Sequence, residues 1–239
     1  MIRYRFFIQL LIAVAFFSSC KKDEDIPVLP EANRGCGIDF LKGNLEFSNR
    51  INLLRDNAMK LDYETGYILY PSKADIYRYE LIEGRPGAAS IVFDPKLQVD
   101  GLIHSHYGDL YPNFSGSDIK AIYEAYYYEK INDYKKFVCA VVSGTNTAYL
   151  LKITDLNTFI GFSKQNLTDK NSFATFETIY HNIQEADEPA YGLNLSFENA
   201  LLEMLNSSGL TLYKSVLPFQ SWNRLDRNVN GQTQRIPCW

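Results

Sequence analysis

The stretch Gly101-Leu102-Ile103-His104-Ser105-His106, followed after a loop by Ser115-Gly116-Ser117-Asp118, decides how this chain is read. Two of its three histidines stand two residues apart at the end of an apolar run. Alternate side chains of a strand share a face, so both imidazoles project the same way. Two nitrogen donors on one side of a rigid strand are aligned for a tetrahedral metal, zinc above all. By itself the pair is a weak metal signal and is more often two surface histidines. Ser115-x-x-Asp118 also carries two readings. It is a helix cap, with Ser115 at the N-cap and Asp118 reaching back. Coupled to the histidines, it also offers Asp118 as a third ligand and Ser115 as a donor to an oxygen that the metal polarises.

Upstream, residues 44–61 place Phe47, Ile51, Leu54, Ala58 and Leu61 at helical spacing, which predicts an amphipathic helix. Runs rich in β-branched and aromatic residues predict strands at 66–70, 75–82, 90–93 and 99–104, with Pro71, the Gly84-to-Gly87 segment and Asp94-Pro95 as turns. Residues 117–131 read as a helix, and 137–143 and 148–153 as two more strands. Beyond 155 the pattern turns helical (155–162, 172–184, 196–206), then gives a short strand at 210–214 and an irregular aromatic tail. This order is that of an α/β (α+β) fold, a sheet flanked by helices, and not of a bundle or an all-β barrel.

At the N-terminus, Arg3 and Arg5 precede the apolar run 6–17 and then Ser18-Ser19-Cys20. The apolar core is shorter than the ~20 residues a membrane-spanning helix needs, so residues 1–19 read as a secretory signal. The cysteine after small residues resembles the lipobox of bacterial lipoproteins, which implies cleavage before Cys20 and a lipid anchor on it. The charged run Lys21-Lys22-Asp23-Glu24-Asp25 is similar to the export tag of Bacteroidetes surface lipoproteins, and is equally a plain solvated tether. With Pro27 and Pro30 behind it, the segment 20–35 is a linker. The remaining segment, 36–239, is long enough for one domain with a substantial core. Losing Arg3 and Arg5 takes the net charge from −4 to −6, and no basic stripe remains for nucleic acid. Cys139 lies in an apolar run and reads as a core thiol. Cys36 and Cys238 flank the domain and are candidates for a disulfide, although sequence does not fix pairing.

His-x-His, a loop, then Ser-x-x-Asp resembles the JAMM motif of the JAB/MPN metallopeptidases. That family also carries a glutamate at a strand entered from a helix and followed by glycine, which Tyr63-Glu64-Thr65-Gly66-Tyr67-Ile68-Leu69 matches. The resemblance covers 44–153, leaves 154–239 as a mostly helical extension, and is most like the bacterial JAB-like toxin or effector peptidases. It implies a cytidine-deaminase-like sandwich, zinc held by His104, His106 and Asp118, Glu64 as general base and Ser115 as oxyanion donor. The chain departs from the family in its eight loop residues, Tyr107 to Phe114, where seven are usual, and in Tyr107 where proline is common.

Other metal folds fail on ligand count. The metallo-β-lactamase and amidohydrolase patterns need more histidines than His181, the one that remains, can supply. Zinc deaminases need a second cysteine after Pro237-Cys238, and the sequence ends one residue later, at Trp239. His181 sits among aromatic residues and reads as structural. The expected function is zinc-dependent hydrolysis of a peptide or isopeptide bond by an exported lipoprotein anchored to the outer membrane through Cys20. The alternative is an inactive binding module on the same fold.

Overall fold

In the computed structural model, residues 36–72, 77–108, 110–228 and 231–239 are described. The expected signal 1–19, the expected lipidation site Cys20 and the expected linker to 35 lie outside them, as do the first two residues of the strand expected at 75–82. Helix α1 (Leu45–Ala58) starts where the Asn44 side chain accepts the Phe47 N–H at 3.0 Å. That is the cap expected of asparagine before an amphipathic run. Strands β1 (Thr65–Tyr70), β2 (Arg78–Glu83), β3 (Gly101–His106), β4 (Val138–Ser143), β5 (Thr147–Ile153), β6 (Leu210–Val216), β7 (Trp222–Arg227) and β8 (Thr233–Pro237) form one mixed sheet. Their order is β2-β1-β3-β4-β5-β6-β7-β8.

Neighbouring strands are antiparallel except β3 and β4. A parallel pair cannot be closed by a hairpin and needs a crossover. Helix α2 (Gly116–Tyr127) supplies it, so the loop from His106 to Ser115 leaves the carboxyl end of β3 and enters a helix N-terminus. Ligand sites in α/β units form at such strand ends.

Strand alternation divides the side chains between two cores. On one face Ile68, Leu102, Cys139, Val141 and Leu151 pack with Ile119 and Ile122 of α2. Phe176 and Tyr180 of α4 (Lys170–Tyr191) and Phe197 of α5 (Leu193–Met204) complete that core. On the other face Tyr67, Leu69, Ile103 and Ala140 pack with Phe47, Ile51 and Leu54 of α1. Each fully buried aliphatic or aromatic side chain contributes roughly 1.5–3 kcal/mol. Strands β1, β3 and β4 are buried along their whole length because helices cover both sides. His104 and His106 are in step with Leu102 and therefore lie on the α2 side.

The α+β architecture agrees with the sequence reading, with two differences. The strand expected at 90–93 is irregular chain, because β1 already has β2 on one edge and β3 on the other. The tail expected to be irregular forms β7 and β8. In β7 only Trp222 and Leu225 are buried, so its alternation is hidden by Asn223, Arg224 and Asp226. Two helices also run past their expected ends, α3 (Leu156–Asn166) and α4, which carries Pro189 in its last turn. Cys36 and Cys238 form a disulfide across 202 residues of sequence. Cys139 is buried and free. Among the described residues no helix is long and apolar enough to cross a membrane.

Candidate metal centre

The period of two that aims His104 and His106 at α2 also aims Glu64, because Glu64, Gly66 and Ile68 alternate onto the same face. Gly66 pairs with His104 across the β1–β3 ladder. A Cβ on Gly66 would stand 2.7 Å from the Ile103 carbonyl oxygen and 3.2 Å from the His104 Cβ. Glycine is therefore required if His104 is to hold its position. On the opposite face Ser105 fastens the start of β1: its hydroxyl accepts the Thr65 N–H at 3.0 Å and donates to the Thr65 carbonyl at 3.2 Å.

Asp118 caps α2 and also stands beside both histidines. Its Oδ2 accepts the Ser115 N–H and the Ser115 hydroxyl, each at 2.7 Å, and the Ser115 Oγ accepts the Asp118 N–H, which completes the capping box. Its Oδ1 lies 3.0 Å from His104 Nε2, and its Oδ2 lies 3.5 Å from His106 Nε2. The extra residue in the loop leaves this register intact. The cap holds the carboxylate at the angle that brings it to the histidines.

His104 Nε2 and His106 Nε2 are 3.0 Å apart. Two ligands at 2.0–2.1 Å from a tetrahedral zinc lie about 3.3 Å apart, and the separations around this triad bracket that value. Ligand atoms of His104, His106 and Asp118 all fall within 4.8 Å of one another. His106 Nδ1 faces the Tyr111 carbonyl at 2.8 Å and donates to it, so its Nε2 carries the lone pair a metal needs. His104 Nδ1 is buried with no hydrogen-bond partner among the described residues, and its ring packs against Phe93 in a T-shaped contact, 5.9 Å between centroids.

Glu64 is buried, with Oε1 3.9 Å from His106 Nε2. Burial raises its pKa, against the pull of His104 and His106. For Asp118 burial acts upward too, but the two imidazoles outweigh it and hold the carboxyl well below the usual range. Burial disfavours a charged His106, yet Asp118 and Glu64 win and raise its pKa. The glutamates of the neighbouring strand, Glu80 and Glu83, are exposed on β2. His181 lies outside the triad on α4, where its Nε2 meets the Tyr111 hydroxyl.

These groups open on a cavity of about 300 Å³ lined by Glu64, His104, His106, Ser115 and Asp118. A third carboxylate, Glu177, also lines it, and no lysine or arginine does so among the described residues. Cys139 touches the same cavity, but burial pushes its thiol well up and keeps it protonated. The donor set is two imidazoles and a carboxylate in an acidic pocket that no lysine or arginine lines among the described residues. It fits a divalent metal. Two further participants, the Tyr111 carbonyl and the Ser105 clamp, carry no signal in the sequence. A backbone carbonyl has no residue signature, and Ser105 reads only as the spacer between the histidines. Comparison with protein-family models, with curated proteins and with solved structures finds no match.

Proposed function

We propose that this chain is a zinc-dependent hydrolase of peptide or isopeptide bonds with a JAMM-type site on a JAB/MPN-like fold. The observation that carries the reading is the meeting of His104, His106 and Asp118 with a buried glutamate beside them, at the wall of an open cavity. His104 Nε2, His106 Nε2 and an Asp118 oxygen would hold the ion. When bound, zinc supplies a Lewis acid that brings the pKa of water to about 7 and polarises a carbonyl. The remaining work falls to the chain. Glu64, kept basic enough by burial, takes a proton at its carboxylate from the attacking water and returns it to the leaving amine. Ser115 holds Asp118 in the resting protein, and rotation of its hydroxyl would turn that proton toward the oxyanion of the substrate.

A two-histidine, one-carboxylate set also serves mononuclear iron enzymes. The buried Glu64 favours hydrolysis, because it supplies the proton acceptor that a hydrolytic step requires. A peptide substrate suits the space. A second depression of about 710 Å³ shares Ile91, Phe93, Leu102, Ser117 and Ala121 with the first, which gives room for several residues of extended chain. Export as a lipoprotein is supported by the 1–20 segment and by the Cys36–Cys238 disulfide, since such bonds persist in oxidising compartments.

Glu64→Gln provides the test. The zinc-loaded wild type should generate new termini in a peptide mixture read by mass spectrometry. The variant should keep its zinc and lose about 10²–10⁴ in rate. Hydrolysis undiminished in Glu64→Gln would remove Glu64 from its role, and no cleavage by either protein would favour the inactive binding module.

A further inference from the structure

The C-terminal extension reaches the candidate metal centre through α4, with Phe197 of α5 beside it. The loop between His106 and Ser115 carries the Tyr111 carbonyl that takes the His106 Nδ1 proton. Helix α4 braces that loop from outside. The Tyr180 hydroxyl points at Asn113 Oδ1 and at the Phe114 carbonyl, 3.0 Å from each. Asn113 and Phe114 are fully buried, and Tyr180 nearly so. The Tyr111 ring stacks on the Tyr180 ring at 6.2 Å and 12°, and meets Phe197 of α5 edge-on at 5.0 Å. At the rim the Tyr111 hydroxyl meets His181 Nε2. A Cβ on Gly116 would stand 2.9 Å from the Glu177 side chain, so α4 also lies against the first turn of α2, where Asp118 sits.

Resting on the metal-site reading, we propose that Tyr180 is a positioning residue for the metal centre: its hydroxyl holds residues 113–114, and through them the Tyr111 carbonyl that sets the tautomer and tilt of His106. Tyr180 touches neither the ion nor the substrate. It acts through the loop, and the role of the extension is to build the outer wall of the site. Outer partners of ligating histidines are worth about 10–100-fold in metal affinity. Burial keeps the Tyr180 phenol protonated and therefore a donor.

The test is Tyr180→Phe, which deletes one oxygen and keeps the ring stack. Its control is Tyr213→Phe, which removes a phenol of equal burial whose hydroxyl donates to the Cys36 carbonyl on the opposite face of the sheet. Both variants lose stability, because each orphans a buried acceptor. Zinc affinity, measured on folded protein by chelator competition, separates them. Tyr180→Phe, one step behind the direct partner of His106, should weaken binding several-fold, up to the ~10-fold floor of such a partner, and alter the visible spectrum of the cobalt-substituted site, whereas Tyr213→Phe should change neither. His181→Ala, which removes only the rim contact to the Tyr111 hydroxyl, should give a smaller loss than Tyr180→Phe. Wild-type affinity and an unchanged cobalt spectrum in folded Tyr180→Phe would overturn the proposal, as would an equal loss in Tyr213→Phe. Wild-type protein that binds no zinc at all would instead bring down the underlying metal-site reading.

Discussion

Two clusters of charged side chains are buried on the same face of this sheet, and they handle charge in opposite ways. Beneath α5, Glu198 Oε1 accepts the Tyr149 hydroxyl at 2.6 Å and is paired with the Lys214 ammonium. An anion meets a cation, and a neutral donor completes the set. At the carboxyl end of β3, Glu64 and Asp118 face two imidazoles, Glu177 stands nearby, and the described cavity wall contains no lysine or arginine. The first cluster is neutralised within the chain. The second leaves carboxylates converging on open space with ring nitrogens turned the same way. Desolvated carboxylates persist only where something cationic offsets the cost of burial. Both clusters are buried and polar, but only the second is arranged to receive a cation.

The contrast predicts that the clusters fail differently. Glu198→Ala strands Lys214 in the interior and should destabilise the fold by about 3–5 kcal/mol in chemical denaturation. Zinc affinity of the variant that remains folded should stay at the wild-type value. A parallel fall in zinc affinity would show that the two clusters are one network and would break the comparison.

Lys152 sharpens it as a third case, a buried charge with no carboxylate bonded to it among the described residues. Its ammonium donates to the Lys135 carbonyl, and burial brings its pKa down to about 8, with Asp133 opposing. A lysine lowered in the fold binds fewer protons than in the unfolded chain between pH 8 and its ordinary value near 10.5. Stability should therefore rise with pH across that window, and at pH 7 the buried charge costs on the order of 3 kcal/mol. Lys152→Met should be more stable than wild type at pH 7, with the advantage shrinking as pH climbs through the window. A pH-independent difference would remove the charge from the explanation.

Much of this is legible in the sequence because strand periodicity and the motif point to one place. The two-residue spacing puts both histidines on one face, and the same arithmetic puts Glu64 beside them once Gly66 sits opposite His104. The dual nature of Asp118 is readable as two alternatives, and the capping geometry makes them compatible. The hidden features depend on contacts that sequence does not encode locally. The 90–93 run has strand composition, but no free edge of β1 receives it, and it lines the cavity instead. The hairpin of β7 and β8 is recruited by pairing to β6 with only two buried side chains in β7. The Tyr111 carbonyl and its support from Tyr180 join residues 69 apart in sequence, and nothing in either segment announces the other.

The central claim is that this triad holds a divalent ion. It is tested most directly by elemental analysis of the folded protein after equilibration with zinc and exhaustive dialysis. The wild type should retain one zinc per chain, and the His104→Ala/His106→Ala double variant none. Zinc absent from the wild type, or retained undiminished by the double variant, would contradict the account.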